Sequence, residues 1–244
     1  MARDPGGCMT TFNEANVATP ESMIEALRHD SRGSSIMRVL SILEKAYEAS
    51  SFAGSVANCH VPGVYSIVLF SDPELGMIRF YYQPKFSGKL SSLTDNKGSF
   101  NLGVHNHSFD IAKVPITGQL ANVRFKEADP YGVAPMKLKR YFSYSTLRAG
   151  ETMSVEFELP EIEVLRPGEA TVMEASDLHT VVTGKTGATA WMVFEGPPKN
   201  NIPSYIYSTD YGFEVSSEGL CESVSYEDSK IFTQAMIGYI KESL

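Results

Sequence analysis

Cysteine is scarce: Cys8, Cys59 and Cys221 are the three in a chain of 244 residues. An odd number with no CxxC pair gives neither a disulfide framework nor a zinc ribbon, and it fits a reducing cytoplasm. Cationic charge is short as well. Twenty-one Lys and Arg against 29 Asp and Glu leave a formal net charge of -8, so no broad basic surface is expected for nucleic acid or an anionic membrane. Long apolar runs are missing. VYSIVLF at 64–70 is too short to span a bilayer, and the opening MARDPGGCMTTFNEANVATP lacks the apolar core of a secretory signal. No GxSxG elbow, no GxGxxG after a strand and no GxxxxGK[ST] loop occurs, which removes the usual hydrolase, dinucleotide and P-loop readings. Acidic pairs are too diffuse to nominate a glycosidase. What remains is a soluble cytoplasmic protein that handles a small molecule, with no nucleic-acid or membrane partner.

A composition of 43% hydrophobic and 20% charged residues supports a sizeable core, and one domain over residues 1–244 is expected. Region 15–50 reads helical. Thr19, Pro20 and Glu21 supply an N-cap, a first-turn proline and an acidic first turn. Ile36, Val39, Leu40, Leu43, Ala46 and Tyr47 then recur at helical spacing after the candidate caps Ser34 and Ser35. Residues 62–207 read as a β core of short runs rich in Val, Ile, Thr, Tyr and Phe, among them GMIRFYYQ, KVPITG, LANVRF, EIEVL and ATAWMVFEG. About ten such strands with no long helix between them predict a sandwich or closed barrel rather than a doubly wound sheet. The stretches at 87–99 and 126–137 read as long loops. Ser225 and Asp228 cap a C-terminal helix over 225–242, with Ile231, Phe232, Ala235, Met236, Tyr239 and Ile240 on one face.

GVHNHSFDIAKVPITGQL, from residue 103 to 120, contains the most specific chemistry. Residues two apart on a strand face one way, so His105 and His107 would project together. Neutral imidazole suits Fe, Cu, Ni and Zn, but two ligands rarely suffice. The third candidate is His179, in RPGEATVMEASDLH.

Together these segments resemble the cupin superfamily. Its first motif places HxH, an acidic residue and a glycine ending the next strand, here His105, His107, Asp110 and Gly118. Its second has a Pro-Gly turn, a strand and a histidine, here Pro167, Gly168, Glu169 and His179. The resemblance implies a mainly β, cupin-type double-stranded β-helix barrel with flanking N- and C-terminal helices, holding a mononuclear metal in its lumen. His105, His107 and His179 would be ligands. Asp110 would either join them or hold an imidazole from behind. The implied ion is Fe(II) first, with Zn, Ni, Mn or Cu as alternatives, and exposed barrel edges imply a homodimer.

Other side chains are candidates for the lumen. Asn122 and Arg124 share one face of LANVRF, and Arg124 could clamp a carboxylate; Arg79 and Arg140 are weaker versions of that reading. Tyr82 and Tyr141, with Tyr81 and Tyr144, could supply a hydroxyl to bound oxygen or substrate. Cys59 and His60 point opposite ways in extended chain and make no dyad. His29 ends a helix, where a cation is favourable. The expected activity is an Fe(II) dioxygenase acting on a small organic substrate with dioxygen, similar to the thiol dioxygenases. Enzymes using 2-oxoglutarate rank lower because they carry HxD where this chain has His107. A redox-neutral metal-dependent isomerase, lyase or hydrolase, or a non-catalytic ligand-binding cupin, are the alternatives.

Overall fold

The computed structural model describes residues 19–50, 52, 55–57, 64–83, 104–129, 136–142, 153–183, 188–202, 204–208 and 222–244. The 87–99 loop, Cys8, Cys59, His60, Tyr144 and Cys221 lie outside them.

Helix α1 (Pro20–Leu27) starts as its sequence dictates, with the Thr19 hydroxyl accepting from the Ser22 amide. Helix α2 (Arg32–Ala49) is capped by Ser31, earlier than the expected Ser34 or Ser35. Its first turn therefore lies ahead of the apolar stripe, and Ser35 sits inside the helix as a fully buried residue. Helix α3 (Tyr226–Ser243) begins at Ser225, whose Oγ accepts from the Asp228 amide at 3.0 Å.

Fourteen strands among the described residues form two antiparallel seven-stranded sheets. In chain order they are β1 (Val56–Ala57), β2 (Tyr65–Asp72), β3 (Gly76–Gln83), β4 (Val104–His105), β5 (Ile111–Thr117), β6 (Leu120–Phe125) and β7 (Met136–Phe142). There follow β8 (Met153–Phe157), β9 (Glu161–Leu165), β10 (Thr171–Met173), β11 (Leu178–Thr183), β12 (Thr189–Glu195), β13 (Tyr205–Ser208) and β14 (Glu222–Ser223). The first sheet runs β10-β5-β12-β3-β2-β1-β14 and the second β8-β7-β13-β4-β11-β6-β9. Eight of these strands carry the fold's signature. Numbered one to eight as β3, β4, β5, β6, β9, β10, β11 and β12, they stand in the orders six-three-eight-one and two-seven-four-five. That interleaving is the eight-stranded jelly roll, or double-stranded β-helix, of the cupins. The chain thus has the expected cupin-type fold, with helices at both ends of the described chain.

Strand alternation divides the residues into layers. Ile78, Phe80, Ala112, Val114, Ile116, Ala190, Met192 and Phe194 lie on the outer face of the first sheet and pack with Ile24, Leu27, Leu43 and Ile240 of the helices. Burying that many large side chains contributes about 1.5–3 kcal/mol each. On the inner faces, Tyr81, Trp191 and Val193 of the first sheet meet Leu120 and Leu165 of the second. Tyr81 and Trp191 stack at 5.1 Å with their planes 4° apart, an apolar pair within this cluster. The outer face of the second sheet has its own core of Val104, Val123, Phe125, Val155, Phe157 and Tyr207. There the β7–β8 hairpin curls back until Phe157 bridges Glu127, just beyond β6.

Candidate metal centre

Strand β11 lies between β4 and β6, pairing His179 with His105 on one side and with Arg124 on the other. Register partners share a face, so His105, His179 and Arg124 all belong to the inner face of the second sheet. His107 arrives differently from the expected strand alternation. Strand β4 ends at His105; Asn106 turns to accept the Tyr205 amide on its Oδ1 at 2.6 Å, and the His107 amide donates to the Ala175 carbonyl at 3.1 Å. The second motif's turn, through Ala175, therefore places the first motif's last histidine.

The three imidazoles converge. Each offers a ring nitrogen, and these nitrogens lie within 4.8 Å of one another, the one such group of His, Cys, Asp or Glu among the described residues. His107 Nε2 and His179 Nε2 are 3.0 Å apart. Two imidazole nitrogens each about 2.1 Å from one ion, at a right angle, take about that spacing, so His107 and His179 stand at the separation of two ligands of one transition-metal ion, with His105 beside them. His105 is 7% and His179 1% exposed, which leaves access from the His107 side.

Behind His179, Nδ1 faces two neighbours: Asn122 Oδ1 at 3.0 Å and Lys113 Nζ at 3.1 Å. A ligating Nε2 requires Nδ1 to carry the proton, and Asn122 Oδ1 accepts it. The amide's orientation is fixed from its far end, where Nδ2 donates to Met173 Sδ at 3.1 Å. Burial holds the His179 imidazole well below the ordinary histidine range, with Lys113, His105, His107 and Arg124 adding to the effect. It is therefore neutral, the form that binds metal. Burial, and then Arg124, likewise hold the Lys113 ammonium well below the usual lysine range, with Glu163 opposing.

The expected site residues fall in different places. His105, His107 and His179 come together. Asp110 does not join them: its Oδ1 accepts from the Ala175 amide at 2.9 Å, and Lys199 Nζ lies 2.7 and 2.8 Å from its two oxygens. It pins the Ala175 turn to which the His107 amide is bonded. Arg124 faces inward, yet it braces the barrel and is not poised to clamp a ligand. Its Nη1 donates to Asp177, and its Nη2 donates to Thr171 at 2.8 Å and to the Val172 carbonyl at 3.2 Å, with Glu163 at 3.5 Å. Tyr82 faces away from the lumen. Alternation puts it on the outer face of β3, against Tyr65, Phe80 and Phe232 of α3 and away from the histidines. Tyr141 pairs through the backbone with Ile206, itself the partner of His105.

Sequence reasoning passed over Lys113 and Glu195. Lys113 stands at an alternate position in the otherwise apolar IAKVPIT, a cation on a strand whose inner face had to be enclosed. Glu195 closes ATAWMVFE and pairs with Arg79 at 3.0 Å, with Arg79 Nη1 donating to Ser66 at 3.1 Å. Burial raises the Glu195 carboxyl above its usual range, and Arg79 opposes the rise.

No protein-family model matches the chain, and no curated protein matches it in sequence. Among solved structures, hydroxypropylphosphonic acid epoxidase from S. wedmorenis is similar at 13% identity and a TM-score of 0.31, over 57% of this chain and 52% of that one. A cupin-like protein from Thermotoga maritima aligns at 8% identity and a TM-score of 0.32, over 64% and 84% respectively. Hydroquinone 1,2-dioxygenase from Sphingomonas sp. aligns at 14% identity and a TM-score of 0.21, over 66% and 74%. The chain thus spans about half the length of the epoxidase. Strand order and the histidine cluster, rather than these faint likenesses, define the class: a cupin-type double-stranded β-helix with a candidate three-histidine metal centre. Among the described residues no helix is long and apolar enough to cross a membrane.

Proposed function

We propose that this chain is a mononuclear metal-dependent enzyme, an Fe(II) dioxygenase acting on a small organic substrate. The observation that carries the reading is the convergence of His105, His107 and His179 on one point of the lumen with no carboxylate among them. His105, His107 and His179 would hold Fe(II), which when bound would supply the redox chemistry of dioxygen. The chain's own part is to hold the imidazoles in place. Asn122 sets the His179 tautomer, and the Ala175 carbonyl fixes the His107 backbone. Tyr141 remains the proposed hydroxyl donor. Residues 1–244 are proposed to act as one domain in the cytoplasm.

Three neutral imidazoles are also a catalytic zinc set, so Lewis-acid chemistry is the second reading. Metal analysis of protein purified without oxygen, followed by oxygen uptake on a panel of small thiols, amino acids and organic acids, decides between them. Bound iron with substrate-dependent oxygen uptake is the expected result. Retained zinc with no uptake on any member of the panel overturns the dioxygenase reading.

A further inference from the structure

Each sheet ends in two edge strands, whose outward backbone groups need a partner or protection. Three of the four edges here are short or covered. Strand β14 has two residues and β10 three, and the Val172 carbonyl of β10 accepts from Arg124 Nη2 at 3.2 Å. Along β8, residues 126–128 supply further rungs: the Ala128 amide donates to the Glu156 carbonyl at 2.8 Å, and the Glu158 amide to the Lys126 carbonyl at 3.0 Å. Strand β9 is different. It is five residues long, it pairs with β6 on one side, and among the described residues no strand adds to its other side. Register with Val123 and Ala121 puts Ile162 and Val164 on the outer face of the second sheet, where they are 63% and 60% exposed. Residues 161–165 include no lysine, proline or bulge of the kind that blunts an edge.

We infer that this edge docks a second copy of the chain, β9 against β9, antiparallel about a two-fold axis at Val164. Such an axis sets one residue opposite itself, and the charges on β9 decide which. An axis at Ile162 would oppose Glu161 to Glu163 of the second copy, and one at Glu163 would oppose Glu163 to itself; like charges directly opposite are destabilising. At Val164 no carboxylates meet. Val164 then faces Val164, Ile162 faces Arg166 and Glu163 faces Leu165, so the apolar stripe runs on across both copies and the Arg166 stem covers Ile162. Arg166 is exposed, and its amide already donates to Glu169 Oε2 at 2.8 Å, which ends the ladder there. So short a seam buries less than the about 1,200 Å² of a standard interface, and the pairing is a reversible one that concentration drives. It stands apart from the metal reading and does not depend on it.

Self-opposition at Val164 provides the test. Sedimentation equilibrium of the full chain is run from micromolar to millimolar loading on the wild type, on Val164→Lys and Val164→Glu separately, and on the two variants mixed in equal amounts. The wild type is expected to shift from monomer toward dimer across that range. Each variant alone should lose the shift, because like charges meet at the axis, and the mixture should recover it as a heterodimer. About any other axis residue 164 of one copy does not oppose residue 164 of the other, and the two variants would not rescue each other. A wild type that stays monomeric throughout overturns the inference and leaves the edge to a foreign strand. Dimerisation that neither substitution weakens overturns it too, because another surface then carries the contact, and so does a mixture that shows no recovery. Val164 is exposed, so both variants are expected to keep the wild-type circular dichroism. If either does not fold, Ile162→Lys, which sets a cation opposite Arg166 of the second copy, takes its place: it must abolish the shift, and a shift that persists overturns the inference.

Discussion

His105 and His179 are register partners across the β4–β11 pair, with ring centroids 4.6 Å apart. Antiparallel pairing puts the side chains of opposed residues on one face about 5 Å apart at Cβ, so two motifs separated by 72 positions between His107 and His179 meet as a consequence of sheet register. Pairing of β11 with β6 on its other side brings Asn122 and Arg124 onto the same face. The cluster is thus built on the sheet, and only His107 depends on a turn.

If His105, His107 and His179 are the ligands, replacing any one by Ala should cost more metal affinity than the about 10–100-fold typical of losing an outer partner. Metal content after dialysis checks this for each variant. A variant that keeps wild-type stoichiometry removes its residue from the set.

Asp110→Asn should keep the metal. The amide oxygen can still accept from the Ala175 amide, and only the pairing with Lys199 is lost, a contact 44% exposed on the lysine side and worth about 0–1 kcal/mol. Loss of metal on a par with His179→Ala would put Asp110 back among the ligands.

The strand zone, the helix caps Thr19 and Ser225, and the three histidines were legible because each depends on local pattern: alternation, capping chemistry, motif spacing. GMIRFYYQ, LANVRF and EIEVL match β3, β6 and β9 residue for residue. What escaped was decided by tertiary register. Tyr82 and Tyr81 are neighbours of the same type, and only the pairing of β3 between β2 and β12 turns one to the helices and the other to the lumen. Lys113 is buried only because the two sheets enclose it, which no local pattern reveals. The destination of the Asp110 carboxylate depends on Lys199, 89 residues away, which no local spacing reveals.

Asn122→Ala should weaken metal binding by about 10–100-fold without removing a ligand, because His179 loses the acceptor that fixes its tautomer. Metal affinity by competition with a chelator is the measurement. An unchanged affinity would mean that packing alone orients the ring.

Two glycines should respond oppositely to alanine. Gly118 has φ +78°, and a Cβ there would lie 2.6 Å from Thr189 Oγ1 and 2.7 Å from the Ala188 carbonyl. Gly118→Ala should cost on the order of 1–3 kcal/mol or more. Gly33, in the first turn of α2, has nothing within 4 Å of a new Cβ, so Gly33→Ala should stabilise by up to about 1 kcal/mol. Urea denaturation of both variants tests the contrast, and equal effects would contradict it.

Glu195 makes stability fall as pH rises. Its carboxyl is raised from the ordinary value of 4.5 because burial outweighs the opposing pull of Arg79. From pH 4.5 up to the folded value, the native state therefore holds a proton that the unfolded chain has released. Stability follows the difference in bound protons, so this group's contribution is complete below 4.5 and is lost as pH rises through the folded value. Glu195→Gln removes that titration. The amide also cannot neutralise Arg79, so the variant should be less stable at neutral pH, yet its stability should decline less between pH 5 and 8 than that of the wild type. Denaturation midpoints across that range provide the measurement. An equally steep decline in both proteins would mean that water reaches Glu195 well enough to keep its carboxyl at the ordinary value, and that Arg79 and Glu195 form a solvated pair at the lumen wall.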